Sequence, residues 1–188
     1  MKKILSVVVV VAVTLFQTVQ ITANAQKSDK PTVNAQACVL YCVDDGKVYF
    51  SINGNKKMKP ASTTKMMTSL ITLEYADSAD KVVTFTKDMT AEGSSMYLKV
   101  GEKVKLSDLA AGMMMASGND AANAAAVSIA GNSEKFSELM NNRAAVIGMK
   151  NTHFVTPSGL DDENHYSTAY DMALLMSYAL ENESFAKL

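Results

Sequence analysis

Ser62 and Lys65 stand three residues apart in the stretch PASTTKMMTSL, and Ser117 and Asn119 flank a glycine in ASGND. One helical turn brings side chains three apart to the same face, so the Lys65 amine can reach the Ser62 hydroxyl. A serine hydroxyl becomes a useful nucleophile when a neighbouring base takes its proton. A lysine serves as that base once burial beside apolar side chains and the positive end of a helix lower its pKa. On this pair alone the simpler reading is the stronger: a serine capping a helix, next to a lysine whose stem lies along apolar surface. Ser117-Gly118-Asn119 shifts the balance. It adds a second hydroxyl and a carboxamide on a turn between two helices, where they can enter a cleft opposite the first.

The elements that must hold these residues read as follows. Ala37 to Asn53 has the alternation of a hairpin, ACVLYCV and VYFSIN around DDGK, with Asp45-Gly46 supplying the positive φ of a tight turn. Pro60 stands just ahead of a helix, where its missing N–H costs nothing. From Thr64 the apolar positions Met66, Met67, Leu70, Ile71 and Leu73 crowd most of the circumference, which predicts a central helix buried on several sides. KVVTFT reads as a short strand, and SDLAAGMMMA as a helix opened by Ser107 with Asp108 near its positive end. Further helices are predicted from about Asp120 to Ala130 before Gly131 and from about Ser133 to Ile147 before Gly148. THFV is a candidate strand, and Thr168 with Asp171 forms a capping box for a last helix reaching about Leu180. The order is a small β start, then a helical block, with a sheet that looks unfinished.

The chain of 188 residues begins with Lys2 and Lys3, an apolar run of 13 from Ile4 to Phe16, and ANA ending at Ala25. That is the pattern of a secretory leader cut after Ala25, and the run is too short for a membrane span, which takes roughly 18 residues. Removing these 25 residues leaves 163, enough for one domain, with 16 basic side chains against 19 acidic ones. No basic face points to nucleic acid or anionic lipid. A polar linker, 26–36, would lead into the domain. Cys38 and Cys42 would share a strand face about 13 Å apart, too far for a bridge, and read as two small buried thiols. No carboxylate or histidine stands at metal-ligand spacing from them.

Other residues invite chemistry and are better explained without it. His153 and His165 sit beside turn and cap residues, and no GxSxG elbow accompanies them, so structural or surface roles are expected. Glu138 and Asn141 form an ExxN inside an ordinary amphipathic helix. Met113-Met114-Met115 reads as core filling. Asp161 to His165, DDENH, reads as a solvated acidic loop rather than a cation site.

Taken in order, PASTTKMMT, EGSSMYLKVGEKVKLSDL, SGNDAANAAA and HYSTAYDMALL resemble the serine D-alanyl-D-alanine carboxypeptidases among the low-molecular-weight penicillin-binding proteins. The resemblance runs from about Ala37 to Leu188, with 55 positions from Ser62 to Ser117. It implies an α/β fold of the β-lactamase/transpeptidase type, in which an antiparallel sheet, incomplete here, packs with a helical subdomain. It implies that Ser62 attacks the carbonyl between two D-alanines of a peptidoglycan stem peptide, giving an acyl-enzyme that water hydrolyses. Lys65 would be the base, Ser117 a proton relay to the leaving amine, and Asn119 a partner for the substrate's amide backbone. β-Lactams would acylate Ser62, no cofactor or metal is implied, and the chain would act outside a bacterial cell membrane, in the cell-wall space.

The family's third motif, KTG on a strand lining the cleft, does not occur among the 188 residues. Residues 37–188 are therefore expected to be the N-terminal part of the catalytic domain, and membrane association would require a C-terminal anchor beyond them. The competing expectations are a non-catalytic fragment or binding module and, less favoured for want of a credible deacylating ExxN, a β-lactamase.

Overall fold

The computed structural model describes residues 31–188. The leader expected over 1–25 and the first part of the 26–36 linker lie outside the described residues, and 31–36 are exposed.

The hairpin forms as the alternation implies. β1 (Cys38–Tyr41) pairs antiparallel with β2 (Val48–Ile52), Cys38 opposite Ile52, and Gly46 takes φ +68° in the turn between them. The register slips between Leu40 and Tyr41. Cys42 thus falls outside the strand, and both cysteines are free and half-buried rather than fully buried, because a two-stranded sheet covers them incompletely.

Pro60 leads into a 3-10 turn, Ala61–Thr64, that runs without a break into α1 (Lys65–Ser78). Met67, Leu70, Ile71 and Leu73 are buried on α1, and so are Thr68, Ser69 and Thr72. Those hydroxyls are satisfied by the carbonyls of Pro157, Ala110 and Thr68 respectively, which is what lets a polar side chain sit in a core. The predicted central helix is therefore central. A second small sheet, β3 (Val82–Thr84) with β4 (Lys103–Lys105), lies antiparallel.

The helices α2 (Leu106–Ala116), α3 (Asn119–Ala130), α4 (Ser133–Ile147) and α5 (Ala169–Ala179) all pack on α1. Ala121, Ala122, Ala124, Ala125 and Ala126 are completely buried on α3, and their small side chains let neighbouring backbones come close. Arg143 of α4 donates to Glu74 of α1 and to the Tyr178 hydroxyl of α5, tying three helices together. Among the described residues no helix is long and apolar enough to cross a membrane.

Four local expectations are corrected. Ser107 does not cap α2; the helix starts one residue earlier, and Asp80 reaches in to accept from the Ser107 N–H and hydroxyl. THFV is not a strand but a single bridge, His153 to Tyr166, because no further partner lies beside it. Thr168 caps α5 by accepting from the Asp171 N–H, but the Asp171 carboxylate bonds the Asn151 N–H and the Thr152 hydroxyl instead of closing a box. Of the three consecutive methionines Met113 is buried and Met115 is 84% exposed, since successive helical residues point about 100° apart.

Candidate active site

The 3-10 turn leaves Ser62 exposed at the mouth of α1 while Lys65, one turn on, is only 1% exposed. Lys65 Nζ lies 3.1 Å from Ser62 Oγ and 3.4 Å from Ser117 Oγ, and it donates to the Ser158 carbonyl at 2.8 Å. Its partners are thus two hydroxyls and a carbonyl. Burial with neutral partners disfavours the ammonium form, and the Lys65 pKa drops from 10.5 to about 8. A neutral amine has one lone pair, and Ser62 Oγ sits where that lone pair can receive its proton.

Ser117 closes α2 in the left-handed conformation, φ +53°, and Ala61, beside Ser62, has φ +48°. Non-glycine residues held there cost of the order of 1–3 kcal/mol each and need surrounding structure to keep them. Here one adjoins Ser62 in the chain and the other bears the hydroxyl that faces the Lys65 amine. Asn119 opens α3 and is 5% exposed. Its Nδ2 donates to the Glu92 carbonyl at 2.7 Å, which fixes the orientation of the amide and keeps its oxygen as an acceptor for an incoming N–H.

The structure thus brings Ser62 and Ser117 each within hydrogen-bond reach of the Lys65 amine and sets Asn119 two residues beyond Ser117. Sequence reasoning missed three further contributors. The first is the loop Thr156 to Leu160, whose Pro157 and Ser158 carbonyls bond Thr68 and Lys65 and whose Gly159 packs on Ala61. Its signal was the Pro-x-Gly spacing of a tight turn. The second is His165, which is buried against Thr64. The third is Asp120, next to Asn119, which accepts from Ser95 Oγ and from the N–H groups of Met96, Leu98 and Ala121. It had no signal beyond its place in SGND.

Burial alone would raise the Asp120 pKa, but the bonds from Met96, Ser95, Leu98 and Ala121 outweigh it and hold the carboxyl below its usual 3.8. The sign follows: the stabilisation is complete above pH 3.8 and is lost as pH falls through the lower folded value. Asp120→Asn is expected to reduce unfolding free energy by about 2 kcal/mol in urea titrations at pH 7. It should also flatten the acid unfolding of the chain below about pH 4. An unchanged midpoint would show that the loop 94–98 does not depend on this carboxylate.

Glu138 and Asn141 lie on α4, and both ends of the Asn141 amide are committed to the Phe154 backbone. Asn141 therefore pins a loop to a helix.

The sequence profile of the D-alanyl-D-alanine carboxypeptidase family matches residues 23–188. The chain is 38% identical over 169 residues to D-alanyl-D-alanine carboxypeptidase DacF of Bacillus subtilis, which covers 87% of this chain and 43% of that protein. Among solved structures, the D-alanyl-D-alanine carboxypeptidase DacD from Francisella tularensis is 37% identical with a TM-score of 0.78, covering 82% of this chain and 38% of that one. Penicillin binding protein 5 from Haemophilus influenzae is 35% identical with a TM-score of 0.77, covering 81% and 47%. The chain spans about two fifths of the length of the curated relatives it matches.

Proposed function

The chain belongs to the D-alanyl-D-alanine carboxypeptidase family, and from that premise we propose that the protein removes the terminal D-alanine of peptidoglycan stem peptides through an acyl-enzyme on Ser62. The observation that carries the proposal is the buried lysine, with its pKa near 8, 3.1 Å from an exposed serine hydroxyl.

The steps follow from that placement. Neutral Lys65 Nζ takes the Ser62 proton as Oγ attacks the carbonyl between the two D-alanines. The negative charge forms on the carbonyl oxygen, toward the start of the turn, where backbone N–H groups have no intrahelical acceptor. As the C–N bond breaks, the proton passes from Lys65 to the departing amine by way of Ser117 Oγ, 3.4 Å from Nζ. Asn119 receives the substrate's backbone N–H. Water then cleaves the ester and returns the enzyme. A β-lactam presents a similar acyl bond and loads Ser62 by the same route. No cofactor enters any step. Such a substrate, together with the leader-like residues 1–25, supports a place of action at the outer face of a bacterial cell membrane.

The test is incubation with a fluorescent penicillin, followed by peptide mapping and by assay of D-alanine release from a D-Ala-D-Ala peptide. A long-lived adduct on the peptide containing Ser62 is expected. No adduct would favour a non-catalytic role, an adduct elsewhere would remove Ser62 from the mechanism, and rapid release of the penicilloyl group would favour a β-lactamase.

A further inference from the structure

His165 lies between α4 and α5, 3% exposed, with its ring set edge-on to Phe154 at 5.7 Å between centroids. Its Nδ1 is 3.1 Å from the Val155 backbone N and 3.2 Å from that of Thr156. Both are N–H donors, so Nδ1 is an acceptor without a proton, and the neutral ring carries its proton on Nε2. Nε2 then donates to Thr64 Oγ1 at 2.9 Å. One imidazole thereby joins the two halves of the site. Thr64 closes the turn that presents Ser62 and immediately precedes Lys65. Thr156 opens the loop whose Ser158 carbonyl takes the Lys65 amine and whose Gly159 rests on Ala61.

We infer that His165 is a positioning residue for the reaction proposed above, on which this inference rests: its Nε2–H tautomer braces the serine turn against the lysine-holding loop, and a proton arriving on Nδ1 releases the brace. A protonated Nδ1 would face two backbone N–H groups with no acceptor among the three, so the loop has to withdraw. A shift of about 1 Å in such a geometry costs on the order of 10² in rate.

The titratable groups around the ring are Asp161, Asp162 and His153; the turn before α1 offers it the Thr64 hydroxyl, and Phe154 an apolar ring. Burial lowers the His165 pKa below 6.5 and prevails over the upward pull of Asp162 and Asp161, with His153 adding to the lowering. The neutral, bracing form is therefore complete above pH 6.5 and is lost as pH falls through the lower folded value.

The test is the pH dependence of acylation by a fluorescent penicillin. Lys65 alone makes the rate fall about tenfold per pH unit below its pKa, and release of the brace adds a second factor, approaching about 100-fold per unit in the acid range. His165→Gln offers an oxygen to the Val155 and Thr156 N–H groups and an amide N–H to Thr64 at every pH. Its rate should stay within about threefold of the unmodified chain at pH 8 and fall only about tenfold per unit down to about pH 5. Identical acid limbs in the two proteins would overturn the inference.

A second readout needs no reaction. Nitrogen NMR of the imidazole should show an unprotonated Nδ1 at neutral pH, and an Nδ1–H tautomer would overturn the brace. If penicillin forms no adduct with the unmodified chain, the proposed function fails on its own account. The positioning role is then decided by the Lys65 amine, whose titration should stay near 8 in the Gln variant and rise toward 10.5 in His165→Ala. No movement in the Ala variant would refute it.

Discussion

Lys65→Met slows acylation of Ser62 by about 10³-fold or more, while the protein stays folded. A positioned general base contributes about 10²–10⁴ to such a step, and the Lys65 amine is the basic group that the structure places beside Ser62 Oγ. Methionine is the informative replacement. It keeps the volume and flexibility of the buried stem, so no cavity opens between α1 and the loop 156–160. Lys65→Arg restores charge but not the rate, because a guanidinium does not give up its proton near neutral pH. The same base sets the pH profile of the unmodified chain. The base acts when neutral, and with a pKa of about 8 roughly a tenth of the molecules are competent at pH 7. Acylation should climb about tenfold per unit toward pH 8 and then level off. Stopped-flow measurement between about pH 6 and 9.5 checks both statements, and equal rates at pH 7 and 9 would exclude Lys65 as the titrating base.

Gly159→Ala is expected to damage both folding and acylation, although Gly159 touches no substrate in the proposed mechanism. Its φ is +82°, in the left-handed region, and a Cβ there would collide with the Ala61 carbonyl oxygen and lie 2.6 Å from its carbon. Both obstacles are backbone, in a residue already at φ +48°, so neither side can yield by turning a side chain. The loop has to lift away from the serine turn. Stability should drop by about 3 kcal/mol in denaturant titrations, from the left-handed strain plus the overpacking. The Ser158 carbonyl leaves Lys65 with it, so in the fraction that remains folded acylation falls on the order of 100-fold. Gly148→Ala is the control. It has a similar φ of +88° but open space where its Cβ would go, and it caps α4, outside the loop 156–160. If the two variants acylate at the same rate once folded fractions are matched, the close approach of Gly159 to Ala61 has no part in holding the site.

Much of the architecture is written locally. The α3 and α4 boundaries at Gly131 and Gly148 follow from residues that accept positive φ, and α1 declares its central place by apolar side chains around most of its circumference. Three of the corrections share one cause. Ser107, THFV and Asp171 read from their own neighbourhoods, and each is governed by a distant group: Asp80 for Ser107, Tyr166 for His153, and Asn151 and Thr152 for the Asp171 carboxylate. Side chains able to serve a local cap serve a remote partner just as well, and nothing in spacing tells which.

The candidate site divides along the same line. Ser62 and Lys65 could be paired from the sequence alone, because three residues in a helical turn fix their relative position whatever packs around them. Ser117 stands 52 residues from Lys65 and Ser158 stands 93, and their contacts with the amine exist only once α2, α3 and the loop 156–160 have closed on α1. The sequence determined which serine has a lysine at hand. The tertiary structure decided that the lysine is buried among neutral groups and its pKa lowered to about 8, since desolvation is set by everything that surrounds a charge rather than by the residues beside it in the chain.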